Sequence, residues 1–123
     1  MKWAVGNDLV ALPDFRISCT PQFIRRVFNP EEIEYCAQFS DPTLRYASTW
    51  AAKEAVYKAL KQLDGRVRLW WRDIEISRHK PAGKPTVHVP KLPFQVNCSL
   101  SISHDGEMVW AVALIQSKTE DSI

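Results

Sequence analysis

The stretch Trp50-Ala51-Ala52-Lys53-Glu54-Ala55-Val56-Tyr57-Lys58-Ala59-Leu60 decides the architecture. At about 100° per residue, Glu54, Lys58 and Lys61 share one side of a helix with Ala47 and Trp50. Ala51, Ala52, Ala55, Val56, Ala59 and Leu63 cover a broad adjacent arc, and Tyr46, Tyr57 and Leu60 extend it round the back. Such a helix is apolar or small over most of its circumference. Its small residues let it lie close to a sheet. Asp41-Pro42 opens it, and it runs to about Gln62. Asp64-Gly65 ends it, with Gly65 supplying a left-handed cap.

Upstream, Lys2 to Leu9 reads as a first strand ending in Gly6-Asn7-Asp8, and Pro13-Asp14 starts a less regular stretch. Thr20 is an N-cap and Pro21 a first helical residue for a short helix, Gln22 to Phe28. Asn29-Pro30-Glu31-Glu32 repeats the device, with acids suited to the positive end of a helix dipole, and this helix runs to about Gln38. Downstream the period changes to two. Val67, Leu69 and Trp71 alternate with Arg68, Trp70 and Arg72, which predicts a strand with one buried face. Ile74 and Ile76 fall on the opposite parity, so a bulge is expected near Arg72-Asp73. Pro81-Ala82-Gly83-Lys84-Pro85 reads as a turn before Thr86 to Val89. Val96 to Ser103 and Met108 to Gln116 are two closing strands, with a hairpin at His104-Asp105-Gly106. Helices early and antiparallel strands late predict an α+β fold: an antiparallel sheet packed against a long helix, with short helices in the N-terminal half.

The chain has 123 residues, enough for one domain with a real core, expected over 1–116 with a frayed polar tail at 117–123. Lys plus Arg number 16 and Asp plus Glu 14, a net charge of +2 that gives no argument for nucleic-acid binding. Met108 to Ile115 is far too short an apolar run to cross a membrane. Gly, Asn and Asp interrupt the start before a signal-peptide core forms. Cys19, Cys36 and Cys98 are widely spaced and fit free thiols in a reducing, cytoplasmic setting.

Three places carry possible chemistry. Glu54 and Lys58, four apart on a mostly apolar helix, are either an ordinary i,i+4 pair or a partly desolvated one. Asp8, at a strand end behind a glycine, either caps a turn or holds a hard cation. Ser101-Ile102-Ser103-His104 ends at a hairpin tip, where His104 is either a solvated turn residue or a ligand contact. His79 and His88 have no comparable context.

Together, Gly6-Asn7-Asp8, then Trp50-Ala51-Ala52-Lys53-Glu54-Ala55 with Lys58, then Ser101-Ile102-Ser103-His104, in this order, resemble the 4′-phosphopantetheinyl transferases. The length and layout are similar to the small holo-acyl-carrier-protein synthase type. Arg26-Val27-Phe28-Asn29-Pro30-Glu31 through Tyr35-Cys36, and Gly83-Lys84-Pro85, also resemble segments of that family. The resemblance implies transfer of the phosphopantetheine arm of coenzyme A to a serine of an acyl or peptidyl carrier protein. Adenosine 3′,5′-bisphosphate leaves. It implies Mg²⁺, with Mn²⁺ as a substitute, on Asp8 and Glu54. It places Lys58 and His104 on the coenzyme A phosphates, with Lys84 from the Gly-Lys-Pro segment. Glu54 and Lys58 are then the catalytic residues, and Glu54 or a water on the cation takes the serine proton.

Two departures matter. Where the family carries an Arg soon after the Asp, this chain reads Leu12-Pro13-Asp14-Phe15-Arg16, leaving Arg16 as the replacement. Ser48-Thr49-Trp50 stands for Gly-Arg-Phe, which leaves Arg45, one turn earlier, for the missing phosphate contact. Trp50 is more like the larger, two-lobed transferases and slightly favours a specialised carrier of secondary metabolism, as in polyketide synthesis, over primary fatty acid synthesis. The carriers of this family are acidic. Arg16, Arg25 and Arg26 around Phe23 are the expected docking surface, with a plain solvated face as the alternative. The larger transferases resemble two fused copies of this unit, which implies a homotrimer here, with active sites between subunits. Five Trp and five Phe are more large aromatics than one small core needs. Trp70 and Trp71, adjacent on the expected strand, must face opposite sides, and a neighbouring subunit would cover one of them. The competing readings are a non-catalytic coenzyme A-binding or carrier-docking protein of the same fold and, more remotely, a metal-dependent nuclease.

Overall fold

The computed structural model describes residues 2–78 and 84–118. Within them the order is β1 (Trp3–Ala11), α1 (Leu12–Ser18), α2 (Pro21–Val27), α3 (Pro30–Ala37), α4 (Pro42–Leu63), a 3-10 turn (Trp71–Asp73), β2 (Glu75–Ser77), β3 (Thr86–His88), β4 (Val96–Asp105) and β5 (Met108–Ser117). The architecture is α+β, as expected. Strands β1, β5 and β4 form an antiparallel sheet in that order, and β2 and β3 form a separate antiparallel pair.

Alternation along β1 sets the layers. Ala4, Gly6, Asp8 and Val10 face inward and are buried, whereas Trp3, Val5, Asn7 and Leu9 face outward. Helix α4 crosses the inner face of β1 and β5. Its Ala51, Ala52, Ala55 and Ala59 are fully buried there beside Ala111 and Ala113 of β5. Gly6 marks the closest approach. A Cβ on it would fall on the carbonyl oxygen of Ala55 and 2.8 Å from the amide nitrogen of Ala59. The starts of the helices follow the expected devices. The Thr20 side chain accepts from the Phe23 amide, and the Asn29 side chain accepts from the Glu32 amide while Glu32 answers to the Asn29 amide. Asp41 caps α4 through the Leu44 amide. At the β4–β5 hairpin Asp105 pairs with Met108, and Gly106 takes φ +58°, the left-handed value that a two-residue turn needs at its first position.

Five expectations need correction. Strand β1 runs on to Ala11, so Asp8 lies within the strand and not at its end. The stretch after Pro13 is helix α1, which has no side-chain cap and is held by burial of Leu12 and Phe15. Gly65 is not a left-handed cap: α4 stops at an extended Asp64, whose carboxylate binds the Arg66 amide and guanidinium. No strand forms over Val67 to Arg72. Trp70 leads into the 3-10 turn, where its amide donates to Asp73 Oδ2, and this turn takes the place of the expected bulge. Trp71 is half-buried and Trp70 exposed, but on a turn rather than on the two faces of a sheet. Ser117 is not frayed: it is buried, pairs with Val96, and its hydroxyl accepts from the Lys2 amide. The turn at Pro81-Ala82-Gly83, His79 and the tail from residue 119 lie outside the described residues.

The β1–α4 contact predicts opposite outcomes at two glycines. Gly6→Ala overpacks a backbone contact and should cost about 1–3 kcal/mol. Gly65→Ala, with open space around it and no left-handed backbone, should be neutral or raise stability by about 0.4–1 kcal/mol. Urea midpoints of the two variants check this. Equal behaviour would deny the close approach.

Candidate active site

The inward parity of β1 that buries Gly6 also turns Asp8 toward α4. Because Gly6 has no side chain, β1 lies against the turn of α4 bearing Ala55 and Ala59. The neighbouring face of that turn carries Glu54 and Lys58. Lys58 Nζ donates to Asp8 Oδ1 at 2.9 Å and to the Asn7 carbonyl at 3.0 Å. Asp8 is buried, while the Lys58 side chain remains half in solvent. Asp8 Oδ2 is buried too, without a hydrogen-bond donor. The Glu54 carboxyl is pushed up to about 7, first by burial and then by the Asp8 carboxylate beside it, against the pull of Lys58. These features belong together. An ionised Glu54 has no proton to offer Asp8, and two neighbouring carboxylates share one lysine. A proton on Glu54 relieves the repulsion.

A divalent cation relieves it as well, and the residues fit one. Two hard carboxylates, one with a buried unpartnered oxygen, are what Mg²⁺ takes from a protein when phosphates and water complete its shell. Among the described residues no third His, Cys, Asp or Glu joins them in a metal-binding group.

The other expected site residues do not join this cluster. His104 is exposed at the end of β4. The register His104–Val109–Val10 puts it two strands from β1 and two residues further along than Asp8, about 12 Å away by strand geometry. It shares the inner face of the sheet with Asp8 but lies beyond the helix. Lys84 is exposed just before β3. Arg45 lies nine residues up α4 from Glu54, about 13 Å along the axis, with its guanidinium 4.1 Å from the centre of the Phe39 ring. Arg16 is exposed but paired. It makes a two-pronged ion pair with Asp41, at 3.2 and 2.9 Å, that ties α1 to the start of α4. Phe23 is half-buried and is the hub of an aromatic cluster, edge-on to Phe15, Phe28 and Trp50. Arg25 and Arg26 are exposed in the last turn of α2, as expected.

Two residues escaped the sequence reading. Lys53, next to Glu54, is completely buried. Its Nζ donates to the carbonyls of Trp71 and Ile74 and pairs with Glu32 Oε1 at 2.9 Å. Burial pulls its proton affinity down, and Glu32 pushes it back up. The signal was available. On the helical projection Lys53 falls between Leu60 and Tyr57, inside the apolar arc, where a lysine needs a partner. Trp50 also has a local explanation, packing edge-on against Trp71 at 4.7 Å, where Tyr57 also meets Trp71 edge-on at 5.5 Å.

Residues 4–114 match the family model of the 4′-phosphopantetheinyl transferase superfamily. The chain is 43% identical over 117 residues to a holo-[acyl-carrier-protein] synthase of Chlorobaculum parvum, covering 91% of this chain and 97% of that one. A holo-[acyl-carrier-protein] synthase of Moorella thermoacetica is 38% identical over 121 residues, 91% of this chain and 92% of the relative. Among solved structures, an ACPS–CoA complex of Chronobacterium ammoniagenes superposes with a TM-score of 0.82 at 28% identity, covering 97% of this chain and 100% of that one. On the match of nearly its whole length, and with Asp8, Glu54 and Lys58 brought to one place, this chain belongs to the 4′-phosphopantetheinyl transferase superfamily.

Proposed function

We propose that the chain is a Mg²⁺-dependent holo-acyl-carrier-protein synthase. It transfers the 4′-phosphopantetheine arm of coenzyme A to a serine hydroxyl of an apo acyl carrier protein. The observation that carries this reading is the convergence of Asp8 and Glu54 under Lys58, with one carboxylate oxygen buried and unpartnered. The serine oxygen bonds to the phosphorus of the pantetheine phosphate. The bond from that phosphorus to the bridging oxygen breaks, and adenosine 3′,5′-bisphosphate leaves. A bound Mg²⁺, or Mn²⁺ in its place, held by Asp8 and Glu54, supplies charge neutralisation at the pyrophosphate. Lys58 is free to turn from Asp8 to the phosphates as a point charge, since half of its side chain is in solvent. Glu54 is the carboxylate this chain offers as base for the serine proton. All four groups implied by the resemblance (Asp8, Glu54, Lys58 and His104) are retained, which favours an enzyme over a non-catalytic binding protein of this fold.

Trp50 argued for a specialised carrier, but its packing on Phe23 and Trp71 explains it without one. The relatives named for acyl carrier protein therefore favour a fatty-acid-type carrier. The transferase domain of residues 1–116 extends through the paired Ser117. Free thiols and coenzyme A as co-substrate suit the cytoplasm. No described helix is long and apolar enough to cross a membrane.

The proposed assembly is a homotrimer. The outer face of the sheet supports it. Trp3, Val5 and Leu9 of β1 and Met108, Trp110 and Leu114 of β5 are exposed, with Val5 opposite Leu114 and Leu9 opposite Trp110. A contiguous apolar face of this kind marks an interface. Copies of this chain would cover it and bring Lys84, His104 and Arg45 of one subunit toward the carboxylates of the next.

Transfer should appear as a mass increase of apo-carrier incubated with coenzyme A and Mg²⁺. Asp8→Ala and Glu54→Ala should abolish it in folded protein, and chelator should do the same to the wild type. Activity surviving either would sink the reading. Stability of the metal-free protein supplies an independent check. Glu54 is raised from 4.5 to about 7 in the fold, so its contribution is complete below pH 4.5 and lost as pH rises through 7. The melting temperature should fall over that window, less steeply in Glu54→Gln, and Mg²⁺ should restore it at pH 7.5.

Light scattering at micromolar concentration should give about three times the 14.1 kDa chain mass. Leu114→Asp or Leu9→Glu should give inactive monomers. A monomeric, fully active wild type would defeat the assembly.

Carrier docking is assigned to Arg16, Arg25 and Arg26, of which Arg16 is exposed while paired with Asp41. Arg26→Glu should raise KM for the carrier, in a salt-sensitive way, and leave coenzyme A affinity unchanged. An unchanged carrier KM would move docking off α2.

A further inference from the structure

The strands β2 and β3 form a two-stranded sheet with three paired positions, outside the main sheet. Such a pair is marginal alone, so its place depends on what holds it. Ile74 and Ile76 are buried and supply apolar anchorage. Apolar contacts are not directional and tolerate sliding.

The directional hold is ionic. Lys53 uses all three of its ammonium donors, on the carbonyls of Trp71 (2.9 Å) and Ile74 (2.6 Å) and on Glu32 Oε1 (2.9 Å). Glu32 completes the network. Its Oε1 also accepts from the Asn29 amide, at the start of α3, and its Oε2 accepts from the Ile76 amide at 2.8 Å, in β2. One buried pair thus joins α3, α4, the 3-10 turn and β2. Its members leave no donor idle and make three bonds to backbone beside β2.

We infer that Glu32 and Lys53 are a positioning pair for coenzyme A binding: they hold the β2–β3 unit, and with it Lys84, at a set place on the subunit that presents it. This rests on the transferase reading given above, in which Lys84 meets the coenzyme A phosphates. The two sides of α4 are then set by different contacts. Gly6 sets Asp8 against one side, and the Lys53 network sets the Lys84 strand against another. Loosening the network displaces a phosphate contact and leaves the carboxylate pair in place.

The test is a mutant cycle read on coenzyme A. Lys53→Met alone leaves Glu32 buried without its ion, so the working variant is Glu32→Gln/Lys53→Met, which buries no unpaired charge. Calorimetry gives the coenzyme A Kd and the Mg²⁺ Kd, and steady-state assays give kcat and KM. The double variant should raise KM and Kd for coenzyme A about tenfold, equivalent to ~1.4 kcal/mol. Its kcat should stay within about twofold and its Mg²⁺ affinity should not move. Lys84→Ala should weaken coenzyme A on its own, and adding the double variant to it should weaken binding little further, since both act through one contact. Full additivity, an unchanged coenzyme A KM, or a Lys84→Ala protein that binds normally would overturn the inference. A parallel fall of kcat and Mg²⁺ affinity, or failure of the double variant to fold, would assign the pair to general stability and overturn it too. A wild type that transfers nothing to any apo-carrier would instead refute the transferase reading.

Discussion

The backbone contact between β1 and α4 at Gly6 is the constraint on which the rest depends. A strand and a helix normally stand apart by the depth of two side chains. Here one partner has none, and the other offers Ala55 and Ala59, so the strand lies on the helix backbone. Everything at the site follows from that proximity and from strand parity. Asp8 is two residues beyond Gly6 and so faces the same way, toward the helix turn that carries Glu54 and Lys58. At an ordinary separation the two carboxylates would be apart and hydrated. At this one they are partly desolvated, and Glu54 keeps its proton up to about pH 7.

Two charged groups of neighbours on α4 show what separates a structural arrangement from a reactive one. Lys53 and Glu32 are both buried, and their donors and acceptors are matched. Such a pair costs desolvation and returns fixed geometry. Asp8, Glu54 and Lys58 are unbalanced: two carboxylates, one ammonium and one buried oxygen without a donor. A folded chain keeps that deficit where a ligand later removes it. The sequence offers both lysines within the same six residues, Lys53 through Lys58, and only burial distinguishes their roles.

How much could be read in advance depended on whether the signal was local. Helices α2, α3 and α4 begin with a side-chain cap followed by proline, and each forms within a residue or two of the expected bounds. The hairpin at Gly106 is equally local. Helix α1 was missed because its cap, Ala11, contributes no side chain, and burial of Leu12 and Phe15 holds it in place. The alternation from Val67 to Trp71 was real but misleading. Trp71 is drawn into the aromatic cluster by Trp50 and Tyr57, Val67 is buried in the core, and among the described residues no strand pairs with this stretch. At the site, Asp8, Glu54 and Lys58 were legible as residue types in order. The engagement of Arg16 by Asp41, and of Arg45 by Phe39, depended on tertiary proximity that no spacing encodes.

The cations are distributed in a way that bears on how a nearly neutral chain handles a polyanion. The net charge of +2 gives little long-range attraction for coenzyme A. Attraction must therefore come from placed charges. Among the described residues of one chain only Lys58 stands at the carboxylates, and they largely cancel it. His104 lies two strands from β1, and Lys84 precedes β3, outside the main sheet. A single copy thus has a site with the carboxylates to hold a cation but too few positive groups to hold a pyrophosphate and a further phosphate. The exposed Trp, Leu and Val face of β1 and β5 lies on the opposite side of the same strands that carry Asp8. On the proposed assembly, the surface that binds the copies and the strand that bears the metal ligand are one element. Association would then bring in the missing positive charge without any change in the fold of the single chain.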